Sequence, residues 1–251
     1  KVASVVELLK SAKRPLVHIG QGIRIAGAEK DFFSLVEKYR LPFVTARNAN
    51  DIAPTDHDLF AGRPGTFAQR GANFAVQTSD LYLAIGTRLS LAQTGYNAKD
   101  YARNAKIVMV DIDQSELDKD TVDLHLKIQT DAKLFLEEMS SQLSQTELDN
   151  QQWSPWVAKC QEWKKKYPVV LPEYKEQTGS VNSYYFVDVL SEILTPDDVV
   201  VTDMGFAFQN IHQAFRVKEG QRVFTNGGFA SMGWGLPAAV GACLGSGKKR
   251  T

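Results

Sequence analysis

Asp80-Leu-Tyr-Leu-Ala-Ile85-Gly86-Thr87-Arg88 is the stretch that decides the fold. Its apolar run is typical of a strand buried on both faces of a parallel sheet, and the run stops at a glycine. Pro15–Ile19 has the same character and leads into Gly20-Gln21-Gly22. In α/β domains the ligand lies beyond the carboxyl ends of such strands, so both turns are candidate binding loops.

Predicted strands and helices alternate on either side of this stretch. Further strands are predicted at residues 41–45, 105–110 and 124–128, and helices at 4–13, 28–39, 72–77 and 131–143. This alternation predicts an α/β fold in which a Rossmann-like parallel sheet carries helices on both faces. We expect it to form a first domain over residues 1–145. Residues 46–71 show no regular pattern, and long loops in compact domains are commonly functional.

A second unit is predicted after this domain. Residues 146–180 are interpreted as a linker with one helix, Trp153–Tyr167, which its tryptophans hold on a domain and whose solvated face carries Lys164–Lys166. Residues 181–251 predict the first part of a second α/β domain, with helices at 184–194 and 208–215 and strands at 198–202 and 222–225.

The glycine stretch, Asn226-Gly-Gly-Phe-Ala-Ser-Met-Gly-Trp-Gly-Leu-Pro237, follows the last predicted strand. Its glycines let bare backbone contact a ligand, and Pro237 fits the first residue of a helix. The alternative is a tight turn before a buried helix.

Composition excludes several classes of partner. Lys and Arg total 29, as do Asp and Glu, so nothing indicates a nucleic acid or an anionic membrane surface as partner. No apolar run has transmembrane length, and no signal peptide is apparent. Cys160 and Cys243 fit no CxxC spacing and are interpreted as reduced thiols of a cytoplasmic protein.

Three strand ends supply candidate ligand groups: Gly20-Gln21-Gly22, Gly86-Thr87-Arg88 and Asp111-Ile112-Asp113. Glycines admit a phosphate, an arginine pairs with it, and a carboxylate binds ribose hydroxyls. Together they predict a nucleotide site, although each triplet alone is also a plain β-to-α turn and the GxGxxG fingerprint is absent. His18 is interpreted as a core residue. With no nucleophile elbow, Walker loop or metal motif, the chain offers binding loops without an obvious catalytic side chain.

Six segments in this order resemble thiamine-diphosphate-dependent enzymes, and acetolactate synthase large subunits in particular: residues 20–22, 70–76, 79–88, 105–113, 201–205 and 233–239. The resemblance covers nearly the whole chain. It implies that residues 1–145 are the central domain and 181–251 the beginning of the thiamine-diphosphate domain. It also implies decarboxylation of a small 2-oxo acid with transfer of the acyl carbanion, in a homodimer or homotetramer.

The resemblance assigns Mg²⁺ to a motif beyond Thr251 and the activating Glu to residues before Lys1. We therefore expect this chain to be an inactive part of a larger enzyme, with no metal ligand and no catalytic residue of its own. Its implied thiamine diphosphate contacts are Gly205, Ala230 and Met232, with Met232 as the wedge under the bent cofactor. The cofactor carries the chemistry, and the protein supplies the geometry.

The resemblance also implies FAD or an ADP-like ligand in the central domain. The matching positions are Gly20, Gln21, Gly22, Gly65, Thr66, Phe67, Gly86, Thr87, Arg88, Asp111, Ile112 and Asp131. Three segments depart from the family's pattern: 46–48 and 65–67 on the flavin side, and 206–207 beside the diphosphate. These departures favour a divergent carboligase or decarboxylase. The alternative is a nucleotide-binding regulatory or structural module, which would have no need for Met232 in its glycine frame.

Overall fold

The computed structural model of the chain describes residues 1–149 and 151–251. Over these ranges the strands form one six-stranded and one two-stranded sheet. The strands are β1 Pro15–Ile19, β2 Phe43–Thr45, β3 Phe60–Gly62, β4 Leu81–Ile85, β5 Lys106–Asp111, β6 Leu126–Gln129, β7 Val199–Val201 and β8 Arg222–Phe224. The helices are α1 Val2–Ser11, α2 Gly22–Ile25, α3 Glu29–Tyr39, α4 Arg70–Thr78, α5 Leu91–Thr94, α6 Gln114–Leu117, α7 Ala132–Ser144, α8 Ser154–Lys166, α9 Ser183–Ile193, α10 Phe206–Ala214 and α11 Gly235–Gly245. Short 3₁₀ helices cover Arg47–Ala49, Ala98–Asp100 and Pro172–Tyr174.

The larger sheet has the strand order β3-β2-β1-β4-β5-β6, and each neighbouring pair is parallel. The central strands β1 and β4 are buried along their whole length. Ile19 pairs with Ile85, which in turn pairs with Val110. Because these strands end level with one another, the turns that follow them meet at one edge of the sheet. The predicted α/β fold with a Rossmann-like parallel sheet is confirmed.

Helices cover both faces of this sheet. Val5 of α1, Phe32 of α3 and Phe135 of α7 belong to one buried apolar cluster. Ala72 of α4 and Trp156 of α8 belong to a second cluster, on the other face. Side chains alternate between the faces of a strand, so strands that are apolar throughout require both layers.

His18 lies in the core, as the sequence predicts. Its side chain is fully buried in β1, and Nδ1 is 2.5 Å from the hydroxyl oxygen of Tyr82. Burial lowers the pKa of His18 to about 3, so the imidazole is neutral at physiological pH.

Helix α8 is held on the sheet by indole groups, as its tryptophans predict. Trp153 Nε1 donates to the carbonyl of Ala12 at 2.9 Å, and Trp156 Nε1 to that of Pro15 at 2.8 Å.

The interpretation of all three lysines of α8 as solvated was wrong for Lys164, whose ammonium donates to the carbonyls of Thr55 and Phe60. Burial lowers the pKa of Lys164 to about 8. Lys165 and Lys166 are exposed, as expected.

The second unit contains β7 and β8 in parallel, with Val200 opposite Val223. Ile211 and Phe215 pack in its own apolar cluster. Helix α11 starts at Gly235, so Pro237 is its third residue and not the predicted first. The first turn of a helix leaves its N–H groups without intrahelical acceptors, and proline at this position therefore removes no helical hydrogen bond.

Residues 46–71, predicted as irregular, contain β3 and the contacts that join the two units. Arg63 directly follows β3, and its side chain is fully buried. Its guanidinium donates to the carbonyls of His212 and Phe215 at 3.1 and 3.0 Å. It also donates to Thr55 Oγ1 at 3.2 Å. One buried cation thus ties the end of α10 to the central domain.

Asp51 makes the second connection between the units. Its carboxylate is almost fully buried and lies 2.5 Å from Arg24 Nη1. It also accepts from Arg222 Nε at 3.0 Å and from the backbone N–H of Val223 at 2.9 Å. We call Asp51, Thr55 and Arg63, with the groups they bind in the second unit, the junction. Residues 46–71 therefore have a structural role, because they hold the two units together.

Candidate functional site

The carboxyl ends of β1, β4, β5 and β6 border a cavity of about 660 Å³. That volume falls within the range of roughly 300–1,000 Å³ usual for small-molecule sites. The following predicted nucleotide residues line it: Gly20, Gln21, Gly22, Gly86, Thr87, Arg88, Asp111, Ile112 and Asp131.

The floor of the cavity is bare backbone. A Cβ on Gly20 would lie 2.1 Å from the carbonyl oxygen of Gly86, and a Cβ on Gly22 would lie 2.7 Å from Cα of Gly86. The two turns are joined by a hydrogen bond from the N–H of Gly22 to the carbonyl of Gly86 at 3.0 Å. Gly86 itself has φ +58°, a left-handed conformation that glycine adopts without strain. A phosphate can therefore approach the main chain closely at this point.

Charged groups border this floor. The exposed Arg88 donates through Nε to the buried carboxylate of Glu116 at 2.7 Å, which fixes the guanidinium at the cavity wall. Asp111 ends β5 and accepts from the backbone N–H of Asp113 at 3.0 Å. Burial raises the pKa of Asp111 above its ordinary value. A largely buried carboxylate beside a glycine floor is suited to ribose hydroxyls.

Asp131 has a structural role as well as a position in the cavity wall. Its side chain caps α7 and accepts from the N–H groups of Lys133 and Leu134 at 2.8 and 3.4 Å. The Asp131 carboxylate therefore lies between the cavity and the beginning of α7, and it already accepts hydrogen bonds from the helix.

Gly65, Thr66 and Phe67 do not line the cavity, unlike the other predicted nucleotide residues. The backbone N–H and hydroxyl of Thr66 donate to the carbonyl of Ala92 at 3.0 and 3.2 Å. Since Ala92 itself lines the cavity, these residues lie directly behind part of the wall. The amide of Asn73 holds Gly65 through both backbone groups.

The glycine stretch is fixed by Asp203, whose role sequence reasoning missed. The Asp203 carboxylate accepts from the N–H groups of Met204 at 2.7 Å, Gly233 at 3.0 Å and Gly235 at 3.2 Å. The hydrogen bond from Met204 is the first cause that lowers the pKa of Asp203. A carboxylate directly after a strand was the available signal.

Two of the three predicted thiamine diphosphate residues, Ala230 and Met232, belong to this braced stretch, and Gly205 lies two residues after Asp203. Gly205 has φ +71° and precedes α10, and no atom lies within 4 Å of where its Cβ would be. Ala230 has φ +57°, and its N–H donates to the carbonyl of Asn226 at 2.9 Å. Met232 is 90% exposed. The stretch thus presents a large apolar side chain and open backbone together.

The glycine stretch also reaches the cavity of the central domain. Gly227 and Gly228 line that cavity together with Arg47 and Asn48. The resemblance placed Arg47 and Asn48 on the flavin side of the nucleotide site, and Gly227 and Gly228 belong to the predicted glycine stretch. The sequence did not predict that the two pairs line one cavity, because they are far apart in the chain.

In the part of the chain that the structure describes, no group of three or more His, Cys, Asp and Glu residues is placed to hold a metal ion. Within residues 1–149 and 151–251, no helix combines the length and apolar character that crossing a bilayer requires.

Comparison with known families agrees with this geometry. Residues 2–139 match the family described as "Thiamine pyrophosphate enzyme, central domain", and residues 203–251 match "Thiamine pyrophosphate enzyme, C-terminal TPP binding domain". The chain therefore belongs to the thiamine pyrophosphate enzymes. A pure nucleotide-binding module is not favoured, because the second match covers the braced glycine stretch.

Within this family, the chain is similar to curated proteins named acetolactate synthases. The chain is 29% identical over 253 residues to a probable acetolactate synthase large subunit of Methanococcus aeolicus, covering 96% of the chain and 42% of the relative. It is 30% identical to the acetolactate synthase large subunit of Lactococcus lactis, covering 94% of the chain and 40% of the relative. It is 31% identical to acetolactate synthase 1, chloroplastic, of Nicotiana tabacum, covering 96% of the chain and 35% of the relative. The chain spans about two fifths of the length of these relatives.

Proposed function

We propose that the whole protein is a thiamine-diphosphate-dependent 2-oxo acid decarboxylase or carboligase of the acetolactate synthase type. The observation that carries the proposal is the glycine stretch, which Asp203 braces so that Met232 stays exposed beside open backbone at Gly205. The names of the relatives support the same reaction class.

The residues present fit thiamine diphosphate. Gly205 leaves free space before the first turn of α10, where N–H groups without intrahelical acceptors suit a diphosphate. The exposed Met232 would give the cofactor ring an apolar support, and the backbone of Ala230 and Met232 would hold its polar edge. When bound, the cofactor supplies the nucleophilic carbon for attack on a 2-oxo acid and accepts the electrons released with carbon dioxide.

Other elements of the proposal extend beyond the described residues. We place the Mg²⁺ ligands of the diphosphate outside this chain. The intact protein acts in the cytoplasm as a homodimer or homotetramer on small 2-oxo acids. The cavity of the central domain takes a nucleotide, either FAD or an ADP-like ligand, on the floor formed by Gly20, Gly22 and Gly86.

The test is calorimetric titration of the whole purified protein with thiamine diphosphate and Mg²⁺, followed by assay of carbon dioxide release from pyruvate. We expect saturable binding and cofactor-dependent release. Met232→Ala should weaken binding roughly tenfold while changing the free energy of unfolding by less than about 0.5 kcal/mol, as is usual for exposed positions.

The matched variant is Phe229→Ala, because Phe229 is also 90% exposed in the same stretch. It should bind the cofactor like the wild type. A protein that binds no thiamine diphosphate and releases no carbon dioxide from any 2-oxo acid would contradict the proposed function.

A further inference from the structure

Arg47 occupies the part of the cavity where the two units meet. It lines the cavity beside Asn48, Gly227 and Gly228. A Cβ on Gly227 would lie 3.0 Å from Cδ of Arg47 and 2.7 Å from Oδ1 of Asn48, so the glycine stretch touches this side chain directly. The Arg47 guanidinium lies 4.8 Å from the centre of the Phe208 ring on α10. The side chain is therefore held between the central domain and the second unit.

The charge of Arg47 has no anionic partner in the part of the chain that the structure describes. Its neighbours at the junction have partners: Arg24 and Arg222 pair with Asp51, and Arg63 donates through Nη1 to two carbonyls. Arg47, in contrast, makes neither an ion pair nor a hydrogen bond with any described residue, and its described contact with Phe208 is a cation–π interaction. Burial lowers the pKa of Arg47, as expected for a partly desolvated cation without a counter-charge.

Unpaired backbone donors lie beside this cation. Over residues 1–149 and 151–251, neither the N–H of Gly227 nor that of Gly228 makes a hydrogen bond to a backbone carbonyl. Consecutive free N–H groups together with a guanidinium are the donor set that binds phosphate oxygens. The neutral flavin ring of FAD has acceptors for these N–H groups but brings no negative charge to Arg47. It would therefore leave a partly buried cation without a counter-charge.

We propose that Arg47, Gly227 and Gly228 form an anion subsite that takes the terminal phosphate of a nucleoside diphosphate bound in the cavity. The ribose lies by Asp111 and the inner phosphate on the floor of Gly20, Gly22 and Gly86. This assignment rests on the nucleotide occupancy in the proposed function and selects the ADP-like ligand over FAD.

The subsite has a consequence for the second unit. Gly227 and Gly228 belong to the same stretch as Ala230 and Met232. A phosphate that bridges Arg47 and these glycines joins the stretch to the central domain and restricts its motion. Bound ADP therefore slows hydrogen exchange of the backbone amides in residues 226–235.

The test is calorimetric titration of the whole purified protein with ADP, adenosine and FAD, without thiamine diphosphate. Three variants are compared: Arg47→Met, which removes the charge and keeps an apolar contact with Phe208; Arg47→Lys, which keeps a charge; and Arg103→Met, which removes an exposed arginine outside the cavity. Thermal unfolding confirms that each variant folds.

We expect Arg47→Met to weaken ADP binding about tenfold or more, as for the loss of hydrogen bonds to a charged group. Arg47→Lys should recover part of the loss, and Arg103→Met should bind ADP like the wild type. Adenosine, which has no phosphate, should bind wild type and Arg47→Met equally.

Equal ADP affinity in wild type and Arg47→Met would overturn the subsite, and so would a wild type that binds no ADP or prefers FAD. Equal losses for ADP and adenosine would show that Arg47 only shapes the cavity, which also overturns it. None of these results touches the thiamine reaction, whose test is binding of thiamine diphosphate and release of carbon dioxide.

Discussion

The backbone N–H of Gly233 donates to the carboxylate of Asp203 at 3.0 Å, across 30 residues of chain. Asp203 follows β7, and Gly233 precedes α11, so one side chain fixes the glycine stretch at the end of the small sheet. A Cβ on Gly235 would lie 2.9 Å from the backbone nitrogen of Asp203, which makes glycine necessary at this contact. The brace therefore holds Gly233, the residue that directly follows Met232.

Replacement of Asp203 by alanine should release the glycine stretch. We expect roughly tenfold weaker binding of thiamine diphosphate, because Gly233 and Gly235 lose a charged acceptor. Calorimetric titration measures the effect. Asp197→Ala is the comparison variant, since Asp197 is exposed and pairs with Lys249 at the surface. Unchanged cofactor affinity in Asp203→Ala would show that the stretch keeps its shape without the brace.

Asp51→Ala should lower the free energy of unfolding by more than the replacement of an exposed carboxylate does. The substitution leaves Arg24, Arg222 and the N–H of Val223 without their acceptor. Breaking a buried ion pair costs about 3–5 kcal/mol, and partial exposure of both arginines reduces the expected loss to about 2–4 kcal/mol. Urea unfolding measures it.

Asp123→Ala is the control variant for Asp51→Ala, because the Asp123 side chain is 82% exposed and pairs with Lys99. Its loss should be below about 1 kcal/mol. Similar losses in the two variants would mean that Asp51 contributes no more than a surface pair.

Lys164 should make the free energy of unfolding depend on pH in the alkaline range. Its pKa is about 8 in the fold, lowered by burial and by Arg63 nearby, against about 10.4 in an unfolded chain. Between these values the unfolded state holds the extra proton, so the contribution of this site to the free energy of unfolding rises with pH. The rise totals about 3 kcal/mol.

The measurement is urea unfolding of wild type and Lys164→Met at pH 7.5 and pH 10. The wild type should gain stability relative to the variant at the higher pH. Lys165→Met, at an exposed position, should show no such pH-dependent difference. A constant difference between wild type and Lys164→Met would contradict the lowered pKa.

Features that depend on residues close together in the chain could be predicted from the sequence. The strands β1 and β4 are apolar runs that stop at glycine, and that local pattern was enough for the fold class and for the cavity floor at Gly20 and Gly86. Strand β3 was missed, because it has three residues and ends in glycine, too few to show a period. Lys164 was misread for a related reason: its acceptors lie 104 and 109 residues away.

The contacts that join the units could not be predicted from local pattern. Asp51 meets Arg222 across 171 residues, and Arg63 meets Phe215 across 152. No periodicity or spacing encodes such pairs. The same applies to Arg47 and Gly227, which line one cavity only because the junction brings the units together. Sequence reasoning therefore found the strand ends and missed the side chains that connect them.

Gly20→Ala should destabilise the protein and close the cavity floor. The added Cβ would lie 2.1 Å from the carbonyl oxygen of Gly86, and this neighbour is backbone held by β4. We expect a loss of at least about 2 kcal/mol in the free energy of unfolding, in line with overpacked sites, together with weaker ADP binding.

Gly241→Ala is the opposite case, because nothing lies within 4 Å of its added Cβ inside α11. It should gain about 0.5–1 kcal/mol from the higher helix propensity of alanine. Urea unfolding of both variants measures the contrast, and a Gly20→Ala protein as stable as the wild type would show that the two turns can separate without cost.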